Sequence, residues 1–264
     1  MEVKNLCESH DIVAIQEHWL LPFELDILSN IHVDFLSAVT SAVNISKNVL
    51  VGRPYGGTAI LYNKKFASSV TVIDTLESRC TAIILHTNVG PVLLVNVYMP
   101  TDYGNFDSYE EYNELCAKIT AMYNDADAVY LMVLGDFNCR FYPILSQFMS
   151  DNDLICSHLT RLHDAFTYCR DDGQNTSWID HLLCSKVCDV KITNMSVLYD
   201  YICSDHKPMS VQFSGLFAEL CQQNDSSLST CNTNSCHIDW YRVNINDFQT
   251  SMSSALQRVD IPVC

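Results

Sequence analysis

No stretch of this sequence is apolar for long enough to cross a bilayer. The opening residues, Met1-Glu2-Val3-Lys4-Asn5-Leu6, lack the basic-then-apolar pattern of a secretory leader. An intracellular protein, nuclear or cytoplasmic and not secreted, is therefore expected. Positive charge is scarce: Lys and Arg number 15 against 31 Asp and Glu, a formal net charge of -16. Nucleic-acid phosphates are normally gripped by Lys and Arg. The balance thus argues against tight, non-specific DNA binding, and no Lys/Arg stripe offsets it. Zinc-type ligand spacing is missing too. Cys231 and Cys236-His237 lie close together, but no second pair stands at the usual interval. There is no internal repeat.

What the chain does have is core. Its 264 residues are 48% hydrophobic, enough for one large domain or two small ones and against disorder over most of the length. The 13 cysteines are an odd number, scattered inside apparent strands and helices. They read as reduced, buried small residues rather than a disulfide framework.

Residues 1–9 read as a helix, and Asp11 to Ile15 as a buried strand ending at Gln16-Glu17-His18-Trp19. Leu20 to Asn30 reads as a loop and short helix, with Pro22 suited to a first turn. From Ile31 to Phe213 the pattern is mostly strand, with hairpin chemistry at Asn88-Val89-Gly90-Pro91. Ser108 to Tyr123 is the clearest helix. Ser108 and Glu111 suggest a capping box, and Tyr112, Leu115, Ile119 and Met122 form one apolar face. A second helix is predicted from Ile144 to Asp151. After Phe213 the composition turns polar. Residues 214–236 read as a linker and 237–264 as a short helical tail.

The chemistry gathers at strand exits. Val129 to Leu134 is a short apolar run that stops in Gly135-Asp136-Phe137-Asn138. In open α/β sheets, sites form outside the carboxyl ends of strands. A capped turn would use the same residues. Other exits carry polar groups the strands do not need: Glu17, Tyr98 and Asp180-His181; Ser204-Asp205-His206-Lys207-Pro208 sits just before the last apolar strand. Taken together they suit one reaction. Glu17 and Asp205 could hold a magnesium-type cation. Asp136 or His206 could activate a water, and Asn138, Tyr98 and protonated His206 could hold phosphoryl oxygens. Asp180 could orient the His206 imidazole.

Five segments carry a resemblance: Ile15-Gln16-Glu17, Asn96-Val97-Tyr98-Met99-Pro100, Leu134 to Asn138, Ser177-Trp178-Ile179-Asp180-His181, and Ser204 to Pro208. In order and spacing the chain resembles the endonuclease/exonuclease/phosphatase superfamily. With Asp164-Ala165-Phe166-Thr167-Tyr168 added, it looks most like the endonuclease domain of non-LTR (LINE-type) retrotransposons. The resemblance implies an α/β fold, a four-layer sandwich of two mostly antiparallel sheets flanked by helices, over residues 1–213. It implies Glu17 as main metal ligand and Asp205 at the metal edge. Asp136 would act on the attacking water, and Asn138 and Tyr98 would bind the scissile phosphate. His206, oriented by Asp180, would contact that phosphate. Mg2+ is the implied cofactor, with Mn2+ as a substitute, and DNA the implied partner. No membrane or obligate protein partner is implied, and in a full-length element a reverse transcriptase would follow.

One departure stands out. The resemblance implies a first strand, ahead of the opening helix, that brings an Asn to the metal site. The sequence begins after that point, so a truncated copy with impaired activity is expected. Two alternatives stand beside the nuclease: a phosphatase of the same superfamily acting on a small or lipid phosphate, and a non-catalytic degenerate fragment.

Overall fold

The computed structural model describes residues 2–43, 55–101, 106–139, 143–170, 173 and 175–217. The expected tail at 237–264 and the Cys231 and Cys236-His237 cluster lie outside them. So does the expected linker, apart from 214–217.

In chain order the elements are α1 (Glu2–Ser9), β1 (Ile12–Gln16), α2 (Asp26–Ser29), β2 (Phe35–Thr40), β3 (Thr58–Asn63), β4 (Val70–Ile73), β5 (Cys80–Thr87), β6 (Gly90–Tyr98) and α3 (Phe106–Asp125). There follow β7 (Tyr130–Asp136), α4 (Pro143–Asp151), β8 (Leu154–Cys156), β9 (Tyr168–Cys169), β10 (Thr176–Ser177), β11 (Asp180–Ser185), α5 (Lys186–Asp189), β12 (Ile192–Val197) and β13 (Met209–Phe213). A six-stranded sheet runs β4-β5-β6-β7-β11-β8, all antiparallel except the β6–β7 pair. Smaller sheets are β1-β3-β2, β12-β13 and the hairpin β9-β10.

Side-chain alternation builds the layers. Along β6, Leu93, Val95 and Val97 point to one side, where Tyr112, Leu115 and Ile119 of α3 and Leu145 and Phe148 of α4 cover them. Val92 and Leu94 point to the other side. There they meet Ala38 of β2, Ile60 of β3, and the partly buried Ile192 and Phe213 of β12 and β13. The outer face of the three-stranded sheet, with Val13, Phe35, Ala59 and Leu61, is covered by Val3, Leu6 and Cys7 of α1 and Leu28 of α2. The result is the expected four layers: helices, large sheet, smaller sheets, helices. Central strands read as near-continuous apolar runs because both their faces are covered.

Three expectations need correcting. β1 is not a buried strand. It lies at the edge of its sheet and only Val13 is buried, because β3 flanks it on one side alone among the described residues. Helix α3 begins at Phe106, so Ser108 is a buried first-turn residue rather than the cap of a box; Asp107 supplies the first-turn acid. Packing also continues past Phe213. Leu216 is buried, and the Phe217 ring lies 4.5 Å from that of Phe66. The thiols of Cys7, Cys80, Cys116, Cys156, Cys184 and Cys188 are buried.

One glycine sets the spacing of the large sheet. Gly135 sits opposite Val97 of β6 and His181 of β11, with φ of +134°. A Cβ there would overlap the Val97 carbonyl oxygen. Both the backbone angle and the contact therefore exclude a side chain. Gly135→Ala should destabilise the fold by about 3 kcal/mol or more in urea unfolding. A loss below about 1 kcal/mol would show that the β6–β7 contact relaxes freely.

Candidate active site

Three strand ends form one row. Tyr98 of β6 stands beside Asp136 of β7, and Asp180 of β11 stands opposite Asp136 on the other side. In-register neighbours share a face. This row faces the smaller sheets, as do Leu94, Met132 and Cys184 farther down the same strands. Like charges set opposite each other on paired strands repel, and Asp136 is only 4% exposed. A third group must reconcile the two acids.

That group is His206. Its Nδ1 lies 3.0 Å and 3.2 Å from the two Asp180 carboxylate oxygens, and its Nε2 lies 3.9 Å from Asp136 Oδ2. Donor atoms of Asp136, Asp180 and His206 all fall within 4.8 Å of one another. Nδ1–H donates to Asp180, which fixes the tautomer and aims Nε2 at Asp136. Burial pulls the imidazole pKa down. The hydrogen bond and charge of Asp180, helped by Asp136 and Asp205, outweigh it and raise the value to about 9. Burial, then the Asp180 charge, pushes the Asp136 carboxyl well above the usual carboxylate range, against the opposing pull of His206.

The loop bearing His206 is anchored through the β9–β10 hairpin. Cys169 N–H donates to the Asp205 carbonyl at 2.9 Å, and Lys207 N–H to the Thr167 carbonyl at 2.6 Å. The Tyr168 ring meets the imidazole edge-on at 5.3 Å. Buried Thr167 also accepts the Ile179 and Asp180 amides on Oγ1, at 3.3 Å and 3.2 Å. One threonine thus holds both the acid and the histidine loop. Lys207 spends its ammonium on the Tyr201 and Ser204 carbonyls, which closes the loop on itself.

Glu17 arrives from the facing sheet, just past β1. Its backbone is left-handed, with φ of 55°, a conformation a non-glycine residue holds only where its surroundings impose it. Trp19 Nε1–H donates to Glu17 Oε2 at 3.1 Å, and the Tyr98 hydroxyl donates to the same carboxylate. Burial and this partner push the Tyr98 pKa up, so the phenol stays protonated. The turn depends on Gly57 (φ +88°), where a side chain would overlap the His18 ring. His18 in turn ties Leu20 N–H and the Thr40 carbonyl to its two nitrogens.

Asn138 is also left-handed, with φ of 49°. Its backbone N–H donates to Asp136 Oδ1 at 2.8 Å, and its side-chain amide donates to the Met99 carbonyl at 2.9 Å. The turn is therefore both capped and loaded with polar groups. Of the expected site residues, Asp136, Asp180 and His206 converge, with Tyr98 in the same row. Glu17 touches the group through Tyr98 and through its charge on Asp136. Asp205 is exposed at the rim, 3.4 Å from Ser204 Oγ. Neither Glu17 nor Asp205 belongs to the converging donor set among the described residues.

Sequence reasoning missed Asn96 and Thr167 as positioning residues. Asn96 is fully buried in mid-strand. Its amide donates to the Ile15 and Ala59 carbonyls at 2.8 Å and 2.9 Å, and its oxygen accepts from Gln16 Nε2. It clamps β1 and β3 onto β6 one turn of pleat below Tyr98 and Glu17. An amide inside an otherwise apolar run was the available signal.

The described Endonuclease/Exonuclease/phosphatase family model matches residues 2–206. A search of curated proteins finds no significant match. Among solved structures, the 3′ phosphatase NExo from Neisseria, bound to product DNA hairpin, is 18% identical with a TM-score of 0.61, covering 81% of this chain and 93% of that one. The Xenopus laevis APE2 catalytic domain is 16% identical with a TM-score of 0.61, over 84% and 90%. The endonuclease domain of TRAS1, a telomere-specific non-LTR retrotransposon, is 16% identical with a TM-score of 0.55, over 80% and 90%. At these identities the likeness concerns the fold.

The Asp180–His206 pair makes a direct prediction. A raised histidine pKa stabilises the fold fully below the unfolded value, and that contribution is lost as pH rises through about 9. Asp180→Asn should move the His206 midpoint, read from ring signals in NMR titration, from about 9 down toward the ordinary histidine range. An unmoved midpoint would mean that Asp180 does not hold the charge.

Proposed function

Because the chain belongs to the endonuclease/exonuclease/phosphatase family, we propose that it is a divalent-metal-dependent phosphodiesterase that cuts DNA, of the retroelement endonuclease kind. The single observation that carries this reading is the line Asp180–His206–Asp136. An imidazolium held from behind by one acid points its free N–H at another without closing a hydrogen bond at 3.9 Å. That N–H is the donor on offer to a phosphoryl oxygen.

The donor set fits a hard cation. Asp136 and Asp180 flank one imidazolium and Glu17 adds its charge at Asp136, so the pocket keeps excess negative charge, and its ligands are oxygens. Glu17 would hold Mg2+, with Mn2+ as a substitute and Asp205 reaching in from the rim. The bound ion would supply charge neutralisation at the phosphoryl oxygens. Asp136, its carboxyl raised by burial and Asp180, accepts the proton of the attacking water. His206 holds a non-bridging oxygen. The Tyr98 hydroxyl and the second N–H of the Asn138 amide, whose first is committed to Met99, complete the phosphate cradle. Robust nicking by this chain would refute the impairment expected from the missing first-strand ligand.

A second reading has one observation in its favour. A net charge of -16 repels polyanions and favours a small or lipid phosphate. Supercoiled plasmid, an abasic-site duplex and inositol phosphates, each with Mg2+, separate the two. We expect plasmid nicking that EDTA abolishes and His206→Ala lowers by about 10²- to 10⁴-fold. Turnover of inositol phosphates alone would favour the phosphatase. No Mg2+-dependent hydrolysis of any of the three would refute the catalytic reading.

A further inference from the structure

Behind the active row lies a second cluster that the proposed reaction does not use. Neighbouring residues of a strand face opposite sides. Asp180 points to the smaller sheets, while His181 points into the core beneath α3 and α4. There it meets Cys156, from the end of β8, and His158, from the single 3-10 turn that follows (Ser157–Thr160). All three are buried, at 2–3% exposure. One ligand atom from each falls within 4.8 Å of the others.

The spacing is that of a metal site. Zinc bonds of about 2.0–2.1 Å to nitrogen and about 2.3 Å to sulfur, set tetrahedrally, place two nitrogens about 3.4 Å apart and sulfur about 3.5 Å from nitrogen. Here His158 Nε2 lies 3.3 Å from His181 Nδ1, and Cys156 Sγ lies 3.7 Å from His158 Nε2 and 3.4 Å from its Nδ1. The other nitrogen of His181, Nε2, donates to the Cys139 carbonyl at 2.9 Å. That bond fixes the tautomer and leaves the Nδ1 lone pair facing the cluster, as the outer partner of a metal-bound histidine does. The His158 ring is stacked on Trp178 at 4.4 Å and 10°. The His158 and His181 rings stack at 4.9 Å and 22°, so one ring must turn for both lone pairs to meet a single ion.

We infer that Cys156, His158 and His181 form a structural Zn2+ site, separate from the oxygen-lined pocket, that ties β8 and its 3-10 turn to β11 directly behind Asp180. Two imidazoles and a thiolate suit zinc and not magnesium. The metal-free alternative is a hydrogen-bonded chain running Cys156 S–H to His158 Nδ1, His158 Nε2–H to His181 Nδ1, and His181 Nε2–H to Cys139.

The full chain, refolded with Zn2+ and dialysed, should retain a single zinc equivalent by elemental analysis. Refolded with Co2+, it should show a near-ultraviolet thiolate-to-cobalt band. Cys156→Ser should lose both, while Asp136→Asn and a Cys231→Ser/Cys236→Ser variant keep both. Wild-type chain that folds but holds no zinc and shows no thiolate band would overturn the site in favour of the hydrogen-bonded chain. A band that survives Cys156→Ser but disappears with the Cys231 and Cys236 substitutions would overturn it in favour of the tail. These readouts need no catalysis, so they stand or fall apart from the phosphodiesterase reading.

Discussion

Two carboxylates face each other across the β7–β11 pairing, and one of them is almost sealed from water. That arrangement is costly unless positive charge is brought to it. His206 brings one charge, held by Asp180. Glu17, from the opposite sheet, adds negative charge again. The pocket remains short of a cation, and a phosphoryl group with its metal is the kind of occupant that would balance it. The rest of the fold reads as scaffolding for that imbalance.

The scaffolding is specific. Gly135 lets β6 and β7 approach closely enough to set Tyr98 beside Asp136. Asn96 locks the edge strand β1 to the large sheet, so the Glu17 turn has a fixed place relative to Tyr98. Thr167 holds the Asp180 backbone and the His206 loop at once. β11 then serves two faces: Asp180 works on the side of the smaller sheets, and His181 braces the strand from the helical side.

Much of this was legible from residues. The apolar runs of β3, β5, β6 and β7, the apolar face of α3 and the turn at Asn88-Val89 carry their periodicity openly. Polar groups beside apolar strands marked Asp136, Asp180 and His206, but only Asp136 closes its strand: Asp180 opens β11 and His206 precedes β13. Other features were not legible. The cap of α3 failed because capping patterns compete with an earlier start. The roles of Asn96 and Thr167 depend on which carbonyls and amides a neighbouring element presents, and a single strand's pattern does not contain that. The Cys156, His158 and His181 cluster joins residues 25 positions apart in sequence through sheet pairing, so no local spacing signals it.

The most direct test of the central claim is where a paramagnetic cation settles. In a Mn2+ titration followed by NMR, the His206 ring signals should broaden first. His86, exposed at the far end of β5, should follow only at much higher Mn2+. Broadening of His86 before His206, or of both together, would mean that the acids of β7, β11 and the Glu17 turn do not gather a metal beside the imidazole.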